Sequence, residues 1–296
     1  MVAPTTRPYI SAPMTRRFTR LAWTAATFTY LLIILGAIVR ITRSGLGCGE
    51  HWPLCNGKLL PPLDLPTMIE YGHRLAAAAV SGLVAALAGF AWWLRQGAGS
   101  PKGVPDGPGE RLSPDRTAYV ALGLLVVQVL LGAVTVKLRL PPWTVILHLG
   151  TAMLLLATLI VAAKVTPGAE ARPSRAGLAA LTLGFVTVLL GALTANLGAA
   201  SACLGFPLCN GQVVPAGNYL QHIHWVHRLL AYTLFGYVWW WGLRMRTRRA
   251  WWVVGLVTLQ VAVAAAMVLL GLPAPLQATH VAVGAAVWAG LVVALL

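Results

Sequence analysis

The chain has 296 residues, of which 58% are hydrophobic and only 10% charged. Soluble proteins carry about 25% charged residues, so an ordinary soluble domain is excluded. The formal charge of +15 would suit a nucleic-acid binder, but its distribution along the chain argues against one.

Eight apolar runs lie near 21–41, 69–94, 117–138, 144–165, 176–197, 222–243, 250–270 and 277–296. Each approaches the length of about 20 residues that crosses a bilayer as a helix. The runs are apolar all round, whereas helices of a soluble bundle would show a polar face. The segments 1–20, 95–116, 164–175 and 244–249 hold 15 of the 22 Lys and Arg, while 42–68, 138–143, 198–221 and 271–276 hold only Arg43, Lys58 and Arg139. An excess of Lys and Arg marks cytoplasmic segments. Both termini are therefore expected in the cytoplasm and segments 42–68 and 198–221 outside. The partner of this basic chain is the lipid membrane, with no nucleic acid. Its first 20 residues read as a basic cytoplasmic arm that anchors the first span.

The sequence repeats itself. PLCNG at 53–57 returns at 207–211, and HRLAA at 73–77 returns as HRLLA at 227–231. QVLLGAV at 128–134 corresponds to QVAVAAA at 260–266, with Gln128 and Gln260 each twenty residues before a histidine, His148 and His280. The predicted fold is an all-α membrane protein, with eight transmembrane helices forming two pseudo-symmetric four-helix bundles, residues 1–168 and 169–296. Halves with an even number of spans share an orientation, so the symmetry axis should run along the membrane normal.

Four histidines, His73, His148, His227 and His280, fall within predicted spans, each near the outer end. Ionisable groups inside a membrane are costly and mark function. Two imidazoles on facing helices of one bundle are a way to hold an iron porphyrin. A zinc site is the competing reading and needs a third or fourth nitrogen, sulfur or oxygen ligand; a proton relay in a transporter is a third. Of the seven acids only Glu70 begins a span, three residues before His73 and on the same helical face. It reads as a group aimed at whatever His73 binds, or as a helix-start carboxylate. Its repeat partner is His224, not an acid. Arg40, Arg74 and Arg228 lie near span ends, suited to anionic propionates or to snorkelling. The four cysteines form two loop pairs on the oxidising side, which suggests the disulfides Cys48–Cys55 and Cys203–Cys209; a redox-active pair is the alternative.

SGLGCGEHWPLCNG at 44–57, EYGHR at 70–74, the late His148, and the second-half CLGFPLCNG, HWVHR and THVAVG together resemble the haem A synthase family over nearly the whole chain. That resemblance implies an oxidoreductase of a prokaryotic cell membrane that converts a ring methyl of haem O to the formyl group of haem A, for terminal oxidases. It further implies that His73 and His148 bind the substrate haem, that Glu70 is the catalytic acid, and that His227 and His280 ligate haem b. The implied partners are haem O, the farnesyltransferase that makes it, and an electron partner of unspecified identity. A non-catalytic two-haem membrane cytochrome b needs the same four histidines but not Glu70.

Overall fold

The protein is described by a computed structural model covering residues 12–59, 61–97, 114–164 and 174–295. Among the described residues eight α-helices form in chain order: α1 (Ala12–Ile41), α2 (Leu65–Gly97), α3 (Pro114–Lys137), α4 (Pro142–Lys164), α5 (Arg175–Asn196), α6 (Tyr219–Met245), α7 (Arg248–Leu269) and α8 (Ala274–Leu295). No strand occurs among the described residues; extended pairing is limited to the bridges Cys55–Lys58 and Cys209–Gln212. The predicted joint at 168/169 falls outside the described residues, as do residues 1–11 of the basic arm and 98–113 of the segment between α2 and α3.

Local chemistry sets the helix ends. Asp64 precedes α2, and its Oδ1 accepts the Thr67 N–H at 3.1 Å. Ser174, Asn218 and Thr247 cap α5, α6 and α7 through their side-chain oxygens. Such caps satisfy N–H groups that the first helical turn leaves without partners. Pro142 opens α4, where a missing N–H costs nothing. The helices extend beyond the apolar runs, most of all α1, whose basic stretch from Met14 to Arg20 continues the helix.

Seven of the eight helices are long and apolar enough to cross a membrane, which makes this a multi-pass membrane protein. The exception is α6. Its 27 residues suffice in length, but His222, His224, His227 and Arg228 lower its hydropathy.

Helices α1 to α4 touch in a closed ring, α1 on α2, α2 on α3, α3 on α4 and α4 on α1. Helices α5 to α8 do the same in the same order. Among the described residues the diagonal helices of each ring, such as α2 and α4, do not approach one another. The rings join where α1 and α5 meet α8 and α4, and where α4 meets α8. Tyr30 donates to the Ala282 carbonyl at 3.0 Å, and the Trp288 indole to the Met153 carbonyl at 2.8 Å, so the seam is also hydrogen-bonded.

The core is placed unevenly. On α2 the large buried side chains Val80, Val84 and Leu87 all follow His73, and on α6 Leu234, Val238 and Trp241 all follow His227. On α4 and α8 the cluster residues likewise follow His148 and His280, while on α3 and α7 they precede Gln128 and Gln260. Close packing thus fills the end of each ring remote from the cysteine loops. The loop end is left to histidine, glutamine and small residues.

Candidate functional site

The four span histidines share one register. His73 and His227 are the ninth residues of α2 and α6, and His148 and His280 the seventh of α4 and α8. At 1.5 Å rise per residue each pair sits at one height below the loop end. In each ring the two helices are diagonal, so the imidazoles approach across the interior. His148 lies within electrostatic range of His73, and His227 within range of His280.

Glycine makes room for the rings. A Cβ added to Gly36 on α1 would lie 3.3 Å from His73 Cε1, one on Gly132 on α3 3.2 Å from His148 Cε1, and one on Gly191 on α5 2.8 Å from His227 Cε1. Each imidazole therefore rests against the bare backbone of a neighbouring helix. The Nδ1 atoms of His73, His148 and His227 are buried without a hydrogen-bond partner. Buried polar atoms are nearly always satisfied, so three orphans in one layer mark a site built for something else. Gln128 hydrogen-bonds His148 Nε2 at 3.2 Å and Gln260 the ring of His280 at 3.2 Å, so both glutamines bond between helices.

Above this layer sit the cysteine loops. All four cysteines are in disulfides, Cys48–Cys55 and Cys203–Cys209, which removes thiolates as metal ligands. Among the described residues no three His, Cys, Asp or Glu side chains gather as a metal cluster, and the zinc reading loses its ligands. Paired histidines, orphaned nitrogens and glycine-lined rings fit a haem instead.

Glu70 is 3% exposed and both its oxygens are engaged. Oε2 accepts the Cys48 backbone N–H at 2.8 Å, and Oε1 accepts from Arg74 Nε at 3.1 Å and from its terminal nitrogen at 2.5 Å. Arg74 also donates to the carbonyls of His51 at 2.7 Å and Leu54 at 2.8 Å. The second loop is held alike. Arg228 donates to the carbonyls of Cys203 at 2.7 Å and of Gly205 and Leu208 at 2.9 Å. Its Nε donates to His224 Nε2 at 3.2 Å, and His224 Nδ1 bonds the Ala199 carbonyl at 3.0 Å. Tyr71 bonds the Leu59 carbonyl as Trp225 bonds that of Val213. Arg74 and Arg228 thus commit most of their N–H groups, Arg74 to Glu70 and the first loop, Arg228 to His224 and the second. Of the three candidate propionate partners, Arg40 alone is uncommitted. It lies one turn beyond Gly36 on the same face and has no side-chain partner among the described residues.

The first ring has a contact without a counterpart in the second. Arg139, in the α3–α4 turn, donates from Nε to Glu50 of the first loop at 2.6 Å. Beside the pair opens a cavity of about 500 Å³ lined by Leu46, Gly49, Glu50, His51 and Arg139.

The sequence matches the cytochrome oxidase assembly protein family (COX15-CtaA) over residues 19–67 and 65–292. The chain belongs to that family. A protein named Heme A synthase from Symbiobacterium thermophilum is 33% identical over 265 residues, which cover 80% of this chain and 81% of that one. Another of that name from Exiguobacterium sibiricum is 32% identical over 222 residues, 71% of this chain and 69% of its own. A protein named Protoheme IX farnesyltransferase from Thermus thermophilus is 36% identical over 168 residues, 52% of this chain but 25% of that protein.

The sequence alone anticipated the disulfide pairs that the structure contains and singled out the four histidines and Glu70, which the structure sets near the two loops. Sequence reasoning missed the ring-packing glycines and the loop-clamping work of Arg74, His224 and Arg228. One signal was present: Gly36 and Gly191 are 155 residues apart, the spacing of Cys48 and Cys203.

Proposed function

We propose that this chain acts in haem A biosynthesis as an oxidoreductase, converting the ring methyl of haem O to the formyl group of haem A. The observation that carries the reading is the layer of four histidines at matched helical positions, diagonal in each ring, with orphaned ring nitrogens below a disulfide loop. It is supported by Heme A synthase relatives that cover most of the chain.

In this reading the eight helices, α6 included, span the membrane as two four-helix bundles, 1–168 and 169–296, related by a pseudo-two-fold axis along the membrane normal. Both termini face the cytoplasm and the cysteine loops face outward. His73 and His148 hold the substrate haem O from its two faces, and Gly36 and Gly132 fix the orientation of their rings. Arg40, open and one turn further out, pairs with a propionate, whereas Arg74 and Arg228 are held by their own loop contacts. Glu70 stands three residues from His73, and the Cys48 N–H and Arg74 hold it as a rigid carboxylate. A carboxylate fixed in this way acts by stabilising positive charge as the methyl is oxidised. His227 and His280 hold haem b, which when bound supplies one-electron transfer. His224 stands where Glu70 stands in the first half, so oxidation belongs to the first half alone.

The farnesyltransferase that makes haem O is the natural neighbour. A relative bearing that enzyme's name carries a stretch resembling half of this chain within a quarter of its own length, as expected if the two activities are used together.

The test is chromatography of haems extracted from cells that make this protein together with a haem O source. Haem A should appear and depend on the protein. Only b-type haem under those conditions would identify an electron-carrying cytochrome and end the enzymatic reading.

A further inference from the structure

The two loop clamps differ by one charge. In the first half the Arg74 guanidinium meets the Glu70 carboxylate at 2.5 Å. In the second, every partner of Arg228 is neutral: three backbone carbonyls and the Nε2 of His224. The hydrogen bonds fix the state of His224. Its Nε2 accepts the Arg228 N–H, so that nitrogen carries no proton, and Nδ1 donates to the Ala199 carbonyl. The imidazole is therefore neutral, and Arg228 is 7% exposed. Glu170, before the start of α5, is the only acid in residues 169–296, so no Asp or Glu follows in α5 to α8 or in the second loop.

We propose that Arg228 is a fixed, uncompensated positive charge that raises the reduction potential of the haem held by His227 and His280. This deepens the functional reading above and rests on its ligand assignment. Arg228 follows His227 directly in α6, and its fork is locked to the second loop, so the charge cannot swing away from the ligand. A reduced haem holds one electron more than an oxidised one. A nearby positive charge in a low-dielectric bundle favours the reduced form, and net charge and burial are among the protein's means of setting such potentials. The exchange of Glu70 for His224 between halves, which first reads as the loss of a catalytic acid, thereby also leaves Arg228 unmatched. The consequence is a second-half haem poised to receive electrons.

The experiment is a spectroelectrochemical titration of the full-length protein purified with its haems. The second-half component is the one that persists when His148 is replaced by Ala. Arg228→Lys and Arg228→Gln both destroy the fork, but only Lys keeps the charge. The midpoint of the second-half haem should fall in Arg228→Gln and stay near wild type in Arg228→Lys. His224→Glu recreates the first-half pairing on the same loop and should lower the midpoint as Arg228→Gln does. Equal midpoints in the Lys and Gln variants, or an unchanged midpoint in His224→Glu with full haem content, would overturn the proposal. Wild-type protein lacking any bis-histidine haem spectrum would instead remove the ligand assignment, and this proposal with it.

Discussion

Glu70 accepts the backbone N–H of Cys48 at 2.8 Å, so the acid three residues before His73 is also the anchor of the first cysteine loop, while the acid in the first turn of a span is Asp115 of α3. The two roles separate by substitution. Glu70→Ala leaves the Arg74 guanidinium and the Cys48 N–H without a partner in a buried site. Breaking a buried pair in this way costs about 3 kcal/mol or more. Glu70→Gln keeps one acceptor oxygen but turns an NH2 donor toward the other N–H, at roughly 1–2 kcal/mol and less than losing both acceptors. Both variants should stop haem A production, but only Glu70→Ala should lower thermal stability markedly. Haem chromatography and a melting curve on each variant check this. Normal haem A output from Glu70→Gln would remove the catalytic role and leave Glu70 a loop anchor.

The glycines beside the histidines grade a second prediction. An added Cβ would sit 3.3 Å from the ring of His73 at Gly36 but 2.8 Å from the ring of His227 at Gly191. Gly191→Ala must push the imidazole or the helix aside, whereas Gly36→Ala needs a few tenths of an ångström. Gly191→Ala should therefore reduce the second-half haem, read as haem per protein, while Gly36→Ala retains most of the first-half haem. Equal retention in both variants would mean that the rings do not depend on the bare backbone. Replacing the ligands themselves bounds the scale: His227→Ala should remove that haem entirely.

Much of this arrangement was legible in the sequence because a membrane simplifies it. Apolar length marks the helices, and the repeat marks which histidines belong together. The helix starts were read late because hydropathy sees the apolar run and not the cap: Asp64 and Asn218 begin α2 and α6 several residues before the apolar runs at 69 and 222. His73 and His227 consequently sit in the third helical turn. The work of the arginines was hidden for another reason. A guanidinium that clamps backbone carbonyls needs no particular residue type opposite it, so Arg74 and Arg228 leave no complementary signal in the chain. Glu50 and Arg139 lie 89 residues apart and have no repeat copy, so nothing in the sequence joins them.

Each cysteine loop is held twice, by its disulfide and by its arginine. The disulfide Cys48–Cys55 closes a separation of 7 residues, worth about 2–3 kcal/mol in chain entropy. The Arg74 bonds to His51 and Leu54 survive its reduction. Cys55→Ser alone should therefore lower the melting temperature yet keep the first-half haem, and Arg74→Gln alone should behave similarly. The double variant should lose haem beyond the sum of the single effects, because elements sharing one loop are coupled. Haem content across this double-mutant cycle is the measurement; simple additivity would show that the loop does not secure the site.

The last prediction concerns Arg139, whose backbone lies at φ 59° while the repeat places Gly271 at φ 76°. A side chain in this left-handed region costs about 1–2 kcal/mol that glycine avoids. The ion pair with Glu50 is solvent-exposed, with side chains 74% and 50% accessible, and exposed pairs contribute about 0–1 kcal/mol. Arg139→Gly exchanges one for the other, so thermal stability should be unchanged or slightly higher. Glu50→Gln keeps the strained backbone and loses the pair, so it should be neutral to slightly destabilising. A melting temperature that falls clearly in Arg139→Gly would show that the pair holds the first loop far more strongly than an exposed contact should.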